Sequence, residues 1–199
     1  SRTCFFNKLH IALVNFKLRH ICVFSIKKVM KSRKNIVFLG MMGSGKTSIG
    51  SLISKKIKLE FFDTDRLIEQ QLNLNIPKIF ETKGENFFRE LEEKITLNIL
   101  KKKKIVISLG GGAFLNKNIR DEVQKNHLSF WLKCSDETIY KRIKNSTKRP
   151  IVTKLNKDEL INLSKKRSKI YSKAMYSINC DNLTKNEIIK KVINIYEAN

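Results

Sequence analysis

The chain has 199 residues and a formal net charge of +23, from 41 Lys+Arg against 18 Asp+Glu. Its length suits one domain with a sizeable core, and 41% apolar with 30% charged residues is a folding composition, not a disordered one. No uncharged apolar run approaches the ~18 residues of a membrane span, and four scattered cysteines (Cys4, Cys22, Cys134, Cys180) without a CxxC argue against a zinc site or a disulfide scaffold and suit a reducing compartment.

Residues 1–34 stand apart. They carry nine basic residues (Arg2, Lys8, Lys17, Arg19, Lys27, Lys28, Lys31, Arg33, Lys34) and no acidic one, and the first Met is Met30. A basic, acid-poor leader is the composition of an organellar targeting segment. The plainer reading is sequence upstream of a start at Met30. It is favoured because the stretch shows no clear period and Asn35 already enters a strand. Under either reading, residues 1–34 are an extension outside the fold and 35–199 form a single domain.

From Asn35 onward, short apolar runs alternate with helical ones. Residues 35–39 read as a buried strand, 46–56 as a helix and 59–62 as a short strand. Helical stretches follow at 66–74 and 85–103, then a strand at 104–109, a helix at 116–125 and a strand at 128–132. Residues 136–144 are helical, a polar loop passes through Arg149-Pro150, 157–173 are helical, 176–180 form a last strand and 185–196 a closing helix. Five strands alternating with helices predict an α/β fold, a central parallel five-stranded sheet with helices on both faces. The four lysines at 101–104 read as a solvated helix end, where cations complement the carbonyl dipole.

The glycines locate the chemistry. Only eight occur; three lie at Gly40, Gly43 and Gly45, and three more at Gly110, Gly111 and Gly112. Glycine placed this selectively marks backbone that turns sharply or approaches a ligand closely. Gly40-Met41-Met42-Gly43-Ser44-Gly45-Lys46-Thr47 has the GxxxxGK[ST] spacing between a strand and a helix. Backbone N–H groups from Gly43 through Ser44, Gly45, Lys46 and Thr47 to Ser48 would wrap a phosphate at the helix N-terminus. Lys46 is placed to bridge the β- and γ-phosphates, and the Thr47 hydroxyl to ligate Mg²⁺. A chance loop holding a lysine is the competing reading, and the flanking strand and helix disfavour it. A GTPase would add NKxD and DxxG, and neither is present. An ATPase motor would be larger. Length and these absences favour a small-molecule kinase that uses a nucleoside triphosphate.

The second strand runs into Phe61-Phe62-Asp63-Thr64-Asp65. Two carboxylates at a strand's C-terminal end face the cleft where α/β proteins bind ligands. One suits the Mg²⁺ hydration shell, the other a substrate hydroxyl. Helix capping by Asp65 is the competing reading. Ser108-Leu109-Gly110-Gly111-Gly112 exposes bare backbone at the same sheet edge.

Taken together, the phosphate loop, Phe-Phe-Asp-Thr-Asp, the segment Ile79-Phe80-Glu81-Thr82-Lys83-Gly84-Glu85 with Phe88-Arg89, and Ser-Leu-Gly-Gly-Gly resemble the shikimate kinase family. The resemblance runs from about Asn35 to the C-terminus. It implies a three-layer P-loop kinase fold of the nucleoside-monophosphate-kinase type, with a substrate-binding helical region at about 64–95 and a small lid at about 145–157. The implied reaction is ATP-dependent phosphorylation of shikimate to its 3-phosphate, with Mg²⁺. The implied substrate contacts are Asp65 to the ring hydroxyls, Arg89 and Arg167 (before Tyr171) to the carboxylate, and backbone of the Gly110, Gly111, Gly112 loop. Arg149 would reach the transferred phosphate, Arg142 would cover the adenine, and Asp63 would face Mg²⁺. Lys46, Asp65 and Arg149 form the implied catalytic set. The implied protein is a cytoplasmic monomer that binds neither nucleic acid nor membrane, or an organellar one if residues 1–34 are a transit segment.

Arginine usage agrees. Lys supplies 32 of the 41 basic residues, and Ile and Asn are also abundant, a skew expected of an AT-rich genome more than of a nucleic-acid footprint. From Met30 on, Arg occurs only at 33, 66, 89, 120, 142, 149 and 167, four of them at the family's guanidinium positions. Arg makes planar bidentate pairs with carboxylate and phosphate that Lys cannot. An ordinary surface ion pair is the plain alternative at each, and for Arg89 a pair with Glu92. Two departures concern adenine: Ser51 stands where the family often has Arg, and the late loop matches only loosely at Asp181-Asn182. A gluconate-type kinase of the same fold and a basic, ATP-hydrolysing nucleic-acid module are the competing functions.

Overall fold

The computed structural model describes residues 34–144 and 156–199. The expectations placed on residues 1–33, on Arg149-Pro150 and on most of the lid lie outside the described residues.

The described chain runs β1 (Ile36–Leu39), α1 (Lys46–Ile57), β2 (Glu60–Asp63), α2 (Thr64–Leu72), α3 (Ile76–Leu100), β3 (Ile105–Ser108), a short 3₁₀ turn (Ala113–Leu115), α4 (Lys117–Asn126), β4 (Leu128–Lys133), α5 (Asp136–Lys144), α6 (Lys157–Tyr171), β5 (Tyr176–Asn179) and α7 (Lys185–Ala198). The strands form one sheet in the order β2-β3-β1-β4-β5, every neighbouring pair parallel. Central β1 and β3 are buried at every position, as strands covered on both faces must be, whereas edge strands β2 and β5 keep exposed positions. Helix α1 packs against α7, and α3 against α4. The Phe38 and Phe130 rings meet in the core, centroids 5.8 Å apart. Buried Asn35 fixes the entry to β1: its amide donates to the Lys102 carbonyl at 2.7 Å, and its Oδ1 accepts from Ile105 N–H at 3.2 Å.

Two helix starts differ from expectation by two residues or more, and three helices end two or three residues early, α3 at Leu100 before the four lysines. Helix α2 starts at Thr64, not Arg66, because Asp63 and not Asp65 is the cap: Asp63 accepts from Arg66 N–H at 3.3 Å, and Asp65 sits in the first turn. Helix α3 starts at Ile76, nine residues before the expected 85. Pro77 lies in the first turn, where its missing N–H costs nothing, and Asn75 caps the end by accepting from Lys78 N–H at 2.9 Å. Gly84 kinks this helix, with φ 80° and ψ 171°. Ile68, Ile79 and Phe88 form a small second core between α2 and α3, apart from the main one. That core anchors the helix segment carrying Arg89.

Candidate active site

Because all five strands are parallel, their C-terminal ends share one edge of the sheet. The phosphate loop leaves β1 there, Asp63 ends β2, the triple glycine leaves β3, and Cys134 follows β4. A cavity of about 250 Å³ opens at this edge, bordered by Gly43, Lys46, Thr47, Asp63, Asp65 and Arg142.

Gly45 adopts φ 96° at the N-cap of α1, a conformation that favours glycine and that aims the loop's N–H groups outward. Lys46 is 8% exposed, and its Nζ donates to the carbonyls of Gly40 and Met41, each at 2.9 Å. The ammonium is thereby held over the loop interior. Thr47 Oγ1 donates to Asp63 Oδ2 at 2.6 Å. A hydroxyl and a carboxylate oxygen in contact beside a phosphate loop are the hard donors that Mg²⁺ takes. Among the described residues no group of three His, Cys, Asp or Glu could hold a metal. An ion at Thr47 and Asp63 would therefore draw its other ligands from phosphate and water.

The glycine loop closes tightly over acidic side chains. A Cβ at Gly110 would collide with Asp65 Oδ1 and lie 2.7 Å from Glu92 Oε1. One at Gly112 would run into the Arg89 guanidinium. Thr64, fully buried, pins this loop: its hydroxyl accepts from Gly110 N–H at 2.8 Å. Gly110→Ala is accordingly expected to destabilise the fold by ~1–3 kcal/mol, the cost of overpacking. Thermal melting of that variant checks the number.

Arg89 projects into the same space. Its Nη1 donates to Glu92 Oε2 at 2.8 Å, and its Nε and Nη2 to Glu85 Oε1 at 3.2 and 3.1 Å. Phe88, beneath it, is buried. The pair with Glu92 expected from their spacing is thus present, and it orients the guanidinium. Glu92 is only 2% exposed, and burial pushes its carboxyl above the ordinary range. Hydrogen bonding and charge from Arg89 pull it back, while Asp65 adds to the rise. Arg167 approaches from α6: a Cβ at Gly111 would lie 3.3 Å from its Nη1. Its Nε is buried with no partner among the described residues, a donor left for an anion. Four residues on, Tyr171 donates its hydroxyl to the Gly111 carbonyl, and burial lifts that phenol to about 12. Gly111 also lies beside the phosphate loop, its would-be Cβ 3.7 Å from Met42 N.

Arg142, on α5, donates from Nη1 to the Gly43 carbonyl at 3.2 Å, on the rim of the phosphate loop. Asp181 instead fixes the turn after β4, accepting from Ser135 N–H at 2.8 Å. The structure thus brings together Lys46, Thr47, Asp63, Asp65, Arg89, Gly110, Gly111, Gly112, Arg142 and Arg167, while Arg149 lies outside the described residues. Sequence reasoning missed Thr64 and the anchoring role of the Tyr171 hydroxyl. Thr64 stood between the two flagged aspartates, but only tertiary packing shows that it faces β3.

The family model for shikimate kinase matches residues 42–197. A shikimate kinase of Thermodesulfovibrio yellowstonii is 39% identical over 82% of this chain and 95% of that protein. One from Bacillus subtilis is 38% identical over 80% of this chain and 87% of that protein. The solved structure of shikimate kinase from Acinetobacter baumannii in complex with shikimate superposes with a TM-score of 0.79 at 27% identity, covering 86% of this chain and 97% of that one.

Proposed function

The chain belongs to the shikimate kinase family and is an ATP-dependent phosphotransferase acting on shikimate, and we propose that its own residues divide that reaction as follows. The observation that carries the proposal is the convergence of Asp65, Arg89 and Arg167 around one bare-backbone loop. Two guanidinium groups facing a carboxyl and a glycine backbone suit a ligand bearing both a carboxylate and hydroxyls. Arg89, held in place by Glu92, and Arg167, with its unpartnered Nε, grip the carboxylate. Asp65 accepts from a ring hydroxyl and directs it at the phosphate loop; the Gly110, Gly111 and Gly112 backbone completes the cradle.

Phosphoryl transfer passes through a loose, anionic transition state, so catalysis is positioning and charge neutralisation. Gly43, Ser44, Gly45 and Ser48 hold the ATP phosphates through backbone N–H groups, and Lys46 neutralises the transferred group. Mg²⁺ held at Thr47 and Asp63 would offset charge on the β- and γ-oxygens. Arg142 covers the adenine and Arg149 reaches the γ-phosphoryl; both roles follow the family pattern. The family pattern would give residues at about 145–157 the role of a lid that excludes water and suppresses hydrolysis.

No helix among the described residues is long and apolar enough to cross a membrane. We read the active unit as a monomer of the 35–199 domain, cytoplasmic and without nucleic acid. Every proposed site residue belongs to that one domain. A chain started at Met30 is expected to keep its turnover and melting temperature, and a marked drop in either would show that the preceding residues pack on the domain. The functional proposal is tested by coupled ADP release. Release should depend on shikimate and not respond to gluconate; equal rates with both, or without either, would remove the assignment.

A further inference from the structure

Strands β4 and β5 pair with Leu132 opposite Ile178 and Lys133 opposite Asn179. Carried one step past the strand ends, that register would set Cys134 opposite Cys180. The Cys180 N–H donates to the Lys133 carbonyl at 2.8 Å, so the two strands are still joined where the cysteines leave them. Neighbouring strands lie about 4.7–4.9 Å apart, within the ~4.4–6.8 Å Cα separation a disulfide accepts. Both thiols are free: the Cys134 thiol donates to the Ser44 carbonyl and the Cys180 thiol to the Ile178 carbonyl at 3.4 Å. Cys134 borders an open cavity of about 510 Å³, together with Trp131 and Ser164, through which a small oxidant can reach it.

The pair sits against the nucleotide end of the site. Cys134 Sγ lies 3.8 Å from the Ser44 carbonyl in the phosphate loop. Arg142 Nη1 donates to the same sulfur at 3.6 Å while also holding the Gly43 carbonyl. The Cys180 hydrogen bond is the main influence bringing the Cys134 thiol down to about 7; burial opposes it, and the Arg142 charge assists. Cys180 is correspondingly raised. Of the two thiols, Cys134, beside the Arg142 guanidinium, gives up its proton the more readily and is the attacking sulfur.

We propose that Cys134 and Cys180 form a reversible disulfide that loosens the nucleotide site. The oxidant is a peroxide. The Cys134 thiolate attacks a peroxide oxygen, the O–O bond breaks, hydroxide leaves and a sulfenic acid forms. Cys180 gives up its proton and attacks that sulfur, the S–O bond breaks, and a second hydroxide leaves. Taking up the two thiol protons, the hydroxides become water. Two thiols lose two electrons to give one disulfide, and one peroxide becomes two waters. The linked sulfur is a poorer acceptor for Arg142 and is drawn toward β5, so Arg142 is held less firmly over the phosphate-loop rim. The consequence rests on the reading of Arg142 as a nucleotide contact; the link itself does not.

The full chain is treated with hydrogen peroxide, alkylated and digested, and its affinities for ATP and shikimate are measured before and after. A Cys134–Cys180 peptide lacking two hydrogens is expected. The ATP dissociation constant should rise about two- to fivefold, the scale of one partly exposed charged contact, and a dithiol should restore it. Shikimate affinity should not move. Cys180→Ser should keep the reduced protein's activity, form no link, and leave a sulfenic acid at Cys134 that a 1,3-dione labels. Absence of the linked peptide from the oxidised protein, or a link with no change in ATP affinity, overturns the proposal. A reduced chain that binds no ATP would instead strike the kinase reading and with it the nucleotide consequence, while the mass of the linked peptide scores the cysteine chemistry on its own.

Discussion

Lys46→Ala is expected to lower kcat by about a hundred- to a thousandfold, the loss incurred when one preorganised donor to developing charge is removed (~2.7–4 kcal/mol). The ammonium is buried and fixed by the Gly40 and Met41 carbonyls, so it meets the transferred group without reorganising. Alanine leaves those two carbonyls without that donor, and the melting temperature should fall somewhat as well. The distinguishing readout is shikimate binding. The carboxylate grip is assigned to Arg89 and Arg167 and not to Lys46, so the shikimate dissociation constant should stay within about twofold, a free-energy change of ~0.4 kcal/mol. If shikimate affinity falls as far as turnover, Lys46 acts by holding the fold and its catalytic role is lost.

Arg167→Lys should do the opposite. The substitution keeps the charge and removes the planar fork. Losing a charge-assisted hydrogen bond to a carboxylate is worth ~1.5–3 kcal/mol, so shikimate should bind about ten- to a hundredfold more weakly. ATP affinity without shikimate should barely change, because Arg167 reaches Gly111 from α6 and belongs to the cradle, not to the phosphate loop. The apo melting temperature should hold, since Tyr171, the large buried group on that helix turn, is untouched. Equal weakening of ATP and shikimate would move Arg167 from the substrate site to closure or structure.

Most of the sheet was legible because its strands are short, apolar and separated by helices. Such patterns depend on local sequence, and the five strands moved by at most about one residue at either end. Errors fell where two local signals competed. The stretch at 85–103 caught only the later part of α3, because Pro77 lies in its first turn and Gly84 only kinks it. Asp63 and Asp65 are two apart, and composition cannot say which one caps; the α2 start settles it for Asp63, whose other oxygen remains for Thr47. The site was legible where chemistry restricts residue type, as in the phosphate loop, the triple glycine and the few arginines kept in a lysine-rich chain. Contacts created only by strand order were not. Thr64 under Gly110, the Tyr171 hydroxyl on Gly111 and Cys134 beside Cys180 join segments far apart in the chain, and nothing in their own neighbourhoods marks them.

The central claim, that the γ-phosphoryl of ATP passes to a shikimate hydroxyl at this sheet edge, is tested most directly by following the phosphorus. ATP labelled in its γ-phosphoryl is incubated with the full chain, Mg²⁺ and shikimate, and the products are separated and weighed by mass spectrometry. The account predicts label in a monophosphate ester of shikimate, formed one for one with ADP, and none of it in the Lys46→Ala protein. Label appearing as inorganic phosphate while shikimate is recovered unchanged would contradict it.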